Sequence, residues 1–286
     1  MERHHAKPLT GAALAAVVIL GVTACSPAAT AGPSAAATAA ASAAAHATPA
    51  PATALATPVP VATAAYPRNP TPYVEGSTTF AVTVDPASFV PTITNPWFPM
   101  VQGASFVFDG AEHVEVKVLP DAKSILGVAV TVVSDKVYED GVLIEDTLDY
   151  YAQDVDGNVW YFGEKTAEYE NGKVTSTAGT WEGGVDAALP GIVMLADPHA
   201  GDTYRQEFHK GDAEDLGMVT ALTGAITVPA GTWSGADVLV TEEWTPLEPG
   251  VRERKTYVRG YGVVETRQIE GGTELVTLTS AVVPPG

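Results

Sequence analysis

The strongest constraint on this chain is an alternation of apolar and polar residues with a period of two, broken at short intervals by turn dipeptides. Phe80-Ala81-Val82-Thr83-Val84, Ser105-Phe106-Val107-Phe108 and His113-Val114-Glu115-Val116-Lys117-Val118 all alternate in this way. Successive side chains of a strand point to opposite faces, so these runs read as half-buried strands. Residues 127–133 are more continuously apolar, the pattern of a strand buried on both faces. Glu139-Asp140-Gly141, Asp156-Gly157-Asn158, Asn171-Gly172 and Gly271-Gly272 sit between β-rich runs. Asn-Gly and Asp-Gly tolerate the positive φ that tight hairpin turns demand. Further strands are predicted over 142–153, 159–162, 167–170, 173–176, 203–209, 225–228, 237–243, 252–258, 263–269 and 273–282. The best helical candidate, 212–222, is short and contains Gly217, so helix is expected to be a small minority. The expected fold class is all-β: a single antiparallel meander forming a curved sheet or half-open β-barrel.

That pattern begins only at Tyr73. Residues 26–72 are almost wholly Ala, Thr, Pro and Ser, which offer no large side chains to bury and so cannot offset the entropy of ordering the backbone. A disordered linker is expected, with a reach between roughly 35 Å as a coil and about 140 Å fully extended. Its Thr/Ser/Pro tract is a candidate for glycosylation. Residues 1–24 have the form of an export signal: Arg3 and Lys7 precede an unbroken apolar run from Ala12 to Leu20. That run falls short of the roughly 20 residues needed to cross a bilayer. The signal ends in Val22-Thr23-Ala24-Cys25, which resembles the lipobox of bacterial lipoproteins at every position. The resemblance implies diacylglyceryl transfer to the Cys25 sulfur, cleavage before Cys25 and attachment to the outer side of a bacterial membrane. Two or more acyl chains anchor stably where one binds only marginally. The expected organisation is therefore a signal peptide (1–24), a lipid-anchored linker (25–72) and a β domain (73–286).

Cys25 is the single cysteine, which rules out an internal disulfide, a catalytic thiol and a thiolate metal cluster in the folded part. Thirty-four acidic residues face 15 basic ones for a net charge of −19, and only Glu2 of the acidic set precedes residue 72. Such a domain repels nucleic acid and anionic headgroups, and a nucleic-acid partner is not expected.

Few motifs carry chemistry. Asp154, Asp156 and Asn158 place alternate oxygens on a turn and are a Ca²⁺ candidate, although Val159 and Lys165 stand where an EF-hand loop needs Gly and Glu. No other cofactor is expected. His113, His199 and His209 lack a recognised zinc spacing, and Gly231-Thr232-Trp233-Ser234-Gly235 misplaces the serine of a nucleophile elbow. In 142–151 alternation puts Asp146 among the apolar residues of one face and Asp149, beside Tyr151, among those of the other. A buried carboxylate needs a cation or donors, and Arg205, Arg254 and Lys255 lie on neighbouring strands. With Trp160 and Glu207, these residues are the candidate lining of a ligand site.

Asn95-Pro96-Trp97-Phe98-Pro99, the run from Tyr150 to Glu164, Gly201-Asp202-Thr203-Tyr204-Arg205-Gln206-Glu207 and Tyr257-Val258-Arg259-Gly260-Tyr261-Gly262-Val263-Val264 resemble a group of uncharacterised exported bacterial proteins. That group is similar in pattern to half-barrels of the LolA and lipocalin-like kind. The resemblance spans most of 90–282 and implies a fold and an extracytoplasmic location, but no activity. The expected function is a non-enzymatic, membrane-anchored module that binds an apolar or amphipathic ligand or an envelope partner. A structural envelope protein and a hydrolase of envelope material are the alternatives.

Overall fold

The structure, a computed structural model, describes residues 69–284. The signal, Cys25 and nearly all of the linker lie outside the described residues. A single 3-10 turn, Pro86–Ser88, capped by the Asp85 carboxylate, is the only helical element among them. The rest is strand: β1 (Phe89–Val90), β2 (Ser105–Gly110), β3 (His113–Ile125), β4 (Val128–Glu139), β5 (Val142–Asp154), β6 (Val159–Glu170), β7 (Lys173–Ser176), β8 (Trp181–Glu182), β9 (Leu189–Met194), β10 (Thr203–Arg205), β11 (Glu207–Phe208), β12 (Leu216–Ala221), β13 (Gly224–Val228), β14 (Gly231–Gly235), β15 (Val238–Trp244), β16 (Arg252–Val258), β17 (Gly262–Glu270) and β18 (Leu275–Val282).

One antiparallel sheet runs β10-β12-β15-β16-β17-β18-β2-β3-β4-β5-β6-β9-β11. Its two terminal strands, β10 and β11, are separated in the chain by Gln206 alone, so the meander wraps into a nearly closed barrel. Closure is made at Glu207 and Phe208, which pair with Pro190 and Leu189 of β9. At 203–205 the wall has a seam, and the incoming chain fills it: Tyr73 N donates to Thr203 O (3.1 Å) and Arg205 N to Thr71 O (2.9 Å). Thr71 is fully buried, so packing begins slightly before the composition change suggests.

The turn chemistry explains the hairpins. Asp140 and Gly141 (φ 50° and 77°) and Asn171 and Gly172 (φ 51° and 72°) adopt the left-handed pairs that two-residue turns require. Several sequence expectations shift for physical reasons. Residues 80–84 form no strand; Phe80 packs edge-on against Phe208 (5.9 Å), and the alternation there records one half-buried face rather than a ladder. Residues 128–132 alternate in burial rather than being buried on both faces. The helical candidate becomes β12 because Leu216 to Val219 pair with Trp244 to Thr241. The two short strands expected over 159–170 are one, carrying a bulge opposite Tyr150 and Tyr151.

One end of the barrel is closed by apolar residues. Asn95 is bonded from its amide to Gly157 O (3.0 Å) and Leu195 O (3.1 Å), and Pro96 O accepts from Gly260 N (2.7 Å). The segment thus crosses from the β5–β6 hairpin to the β16–β17 hairpin. It places Phe98 against Tyr151 (5.0 Å) and Trp97 under Arg259 (4.3 Å). Phe106, Val118, Val133, Leu239 and Val264 are buried as well and extend this apolar core along the barrel. Full burial of such side chains contributes about 1.5–3 kcal/mol each.

Candidate functional site

Beyond that apolar core the interior changes character. Alternation along β5 turns Glu145, Thr147, Asp149 and Tyr151 inward, and the register sets Asp135 of β4 opposite Thr147 and Glu164 of β6 opposite Asp149. Glu164 faces inward only because of the β6 bulge. Without it, Tyr161 and Glu164 would lie on opposite faces; with it, the Tyr161 hydroxyl contacts both Asp149 Oδ1 (2.8 Å) and Glu164 Oε2 (3.0 Å). Gly163 makes the bulge feasible: its φ is 141°, and a Cβ there would stand 2.5 Å from the Trp181 carbonyl oxygen.

Glu207 of β11, Asp215 next to β12, and Glu243 and Glu253 of β15 and β16 continue the acidic lining, all at most 8% exposed. The cation among them is Lys255, 3% exposed, whose Nζ meets Glu243 Oε2 at 2.7 Å. Burial opposes its charge, but Glu243 and Glu253 more than offset this and its pKa is raised. A single lysine cannot neutralise the set. Burial, reinforced by neighbouring carboxylates, holds the pKa values of Asp135, Asp149 and Glu207 well above the carboxylate range. Burial likewise lifts Glu164 and Asp215 well above it, Glu253 to about 7 and Glu145 to about 6. The Tyr161 contacts point the same way. One hydroxyl proton serves one acceptor, so the second short contact requires a protonated carboxyl that donates to the phenol oxygen.

Several of these groups have no partner within the protein: both Asp135 oxygens, Asp149 Oδ2, and the hydroxyls of Tyr151 and Tyr204. An unsatisfied buried polar group costs about 1–3 kcal/mol. Beside this interior lies an open cleft of about 370 Å³ whose wall includes Lys123, Tyr150, Glu164, Trp181, Glu182 and His209. Glu164 belongs to both the cleft wall and the interior lining. Lys123 is held there by Glu182 (2.7 Å) and the Tyr150 ring (4.4 Å).

Of the residues proposed from sequence, the fold brings Asp149, Tyr151, Glu207 and Lys255 together in the interior. The others lie elsewhere. Asp146 faces outward and pairs with Lys136 (2.8 Å), and Arg254 pairs with Glu242 (2.9 Å) on the outer surface. Arg205 is buried beneath the N-terminal segment, its guanidinium flanked by the rings of Phe208 (4.7 Å), Tyr73 (5.6 Å) and Phe80 (5.7 Å). Trp160 donates from Nε1 to Asp154 (2.9 Å). Neither arginine forms an ion pair with an inward carboxylate, because both fall on the outward positions of their strands; Arg205 acts on Glu207 and Asp215 only through the longer reach of its charge. Asp154 also accepts from Asn158 N and Nδ2 (both 2.8 Å), while Asp156 is exposed, so the Asp-rich turn is a hairpin clasp. Among the described residues no group of three or more His, Cys, Asp or Glu could hold a metal ion. Sequence reasoning missed Asp135, Glu164, Asp215, Glu243 and Glu253. The alternation within 128–139 carried a signal for Asp135; the bulge hid Glu164.

No family model and no curated protein matches this sequence. Two solved structures are similar to it. A Bacteroides fragilis protein regarded as exported, with a YmcC-like fold, is 14% identical over 65% of this chain and 98% of its own, with a TM-score of 0.40. A Parabacteroides distasonis protein regarded as a lipoprotein is 12% identical over 66% of this chain and 99% of its own, with a TM-score of 0.35.

Proposed function

We propose that this chain is a non-catalytic binding module, tethered outside the cytoplasm through Cys25, whose barrel receives the polar part of an amphipathic ligand. The observation that carries the reading is the set of buried, unpartnered oxygens of Asp135, Asp149, Tyr151 and Tyr204 within a barrel whose Glu164 also forms the wall of an open cleft. Native proteins satisfy most such groups, and a cluster of exceptions marks a site. A wholly apolar ligand does not match carboxyl groups, whereas a ligand with a polar head does. The lipobox pattern and the linker composition support the address. The test is native mass spectrometry of the full chain extracted from membranes in mild detergent. A stoichiometric non-covalent mass that is lost on Tyr151→Phe with Asp149→Asn supports the reading. A bare polypeptide mass, before and after incubation with an envelope lipid extract, overturns it.

A second reading draws on Glu164 itself. A carboxyl kept protonated beside a cleft can act as a general acid, which would make the chain a hydrolase of envelope material. Glu164→Gln separates the two: a hydrolase loses turnover while retaining its ligand, and a binding module has no turnover to lose.

A further inference from the structure

We infer that the group recognised inside the barrel is an organic cation bearing more than one ammonium, bound by the inward carboxylates around Asp149. This rests on the binding-module reading and deepens it. The inward acids are Asp135, Glu145, Asp149, Glu164, Glu207, Asp215, Glu243 and Glu253; among the described residues Lys255 is the cation within them, with Arg205 acting on Glu207 and Asp215 from behind the wall. Once a cation displaces their protons these carboxylates only accept, so the ligand that matches them supplies positive charge and hydrogen-bond donors. The unpartnered atoms are of the matching kind: Asp135 Oδ1 and Oδ2 and Asp149 Oδ2 are acceptors, and Asp135 is 1% and Asp149 0% exposed.

The spread of the acids decides between kinds of cation. A metal ion draws three or more ligands to one point, and no such group exists among the described residues. Here the carboxyl groups are distributed over β4, β5, β6, β11 and the approach to β12, so separate ammonium groups on one flexible ligand can each find a partner. Each N⁺–H···O⁻ contact formed away from water is stronger than its neutral counterpart. Trp181, in the cleft wall and edge-on to Tyr161 at 5.4 Å, adds an aromatic ring beside these carboxyl groups.

The test is calorimetric titration of the full chain in mild detergent with spermidine, at constant ionic strength, beside laurate. Wild type is compared with Asp135→Asn, Asp149→Asn and an outer-surface control, Glu115→Gln. Asn closely mimics a protonated Asp, so the interior variants retain the fold, which circular dichroism checks. The inference expects one saturable spermidine site, weakened at least tenfold in Asp149→Asn or Asp135→Asn and unchanged in Glu115→Gln. Equal binding by all four proteins reveals only attraction to a chain of net charge −19 and overturns the inference. Binding of laurate without spermidine overturns it while leaving the binding module standing. Binding of neither removes both.

Discussion

Glu253 provides a quantitative handle on the acidic interior. It is 6% exposed and faces Lys255 and Glu243, and burial sets its pKa at about 7 against an ordinary value of 4.5. Below pH 4.5 the carboxyl is protonated in the folded and unfolded chain alike and contributes no pH-dependent penalty. As pH rises through 4.5 the unfolded chain releases the proton and the folded chain keeps it, so stability falls until about pH 7 and then levels off. The gap of 4.5 to about 7, at about 1.4 kcal/mol per pH unit, amounts to about 3 kcal/mol. Glu253→Gln removes this titration. Its stability relative to wild type should therefore be about 3 kcal/mol more favourable at roughly pH 8 than at roughly pH 4. Taking the difference between the two pH values cancels the structural effect of the substitution itself. Urea unfolding followed by tryptophan fluorescence measures it. A difference within about 0.5 kcal/mol of zero, or of opposite sign, refutes the placement of a desolvated carboxyl in the barrel.

Lys255→Met leaves Glu243 buried without its 2.7 Å partner; a loss of about 3–5 kcal/mol at neutral pH is expected in urea titrations. Gly163→Ala drives a Cβ against the Trp181 carbonyl at a φ of 141°, so the melting temperature should drop sharply, whereas Gly172→Ala, with open space around its Cβ, should cost only the strain of its turn. Cys25→Ala should move the protein from the membrane pellet to the soluble fraction after cell lysis; continued sedimentation with membranes argues against an acyl anchor.

The architecture was legible because alternation and turn chemistry are local. Asp140-Gly141 and Asn171-Gly172 announce their hairpins through φ alone, and 113–118 announces its faces through spacing. What depends on three-dimensional register was not legible. The single-residue bulge at Gly163 inverts the facing of Glu164, and the seam at 203–205 is filled by Thr71–Tyr73 from across the sequence. The site was half legible for the same reason. Asp149 and Tyr151 follow from alternation on one strand, but assigning Arg205 and Arg254 as their partners required knowing which face each arginine takes. Arg254 precedes Lys255 by one residue, and that single step places it outside the barrel while Lys255 points in.

The central claim is that burial biases the carboxyl groups of the barrel interior toward their protonated form until a cation replaces the proton. Infrared difference spectroscopy of the full chain at neutral pH reads this directly through the carbonyl stretch of protonated carboxyl groups. The account predicts that this band is present in the wild type, reduced in Asp149→Asn and diminished by spermidine. A spectrum showing only ionised carboxylate at neutral pH contradicts it.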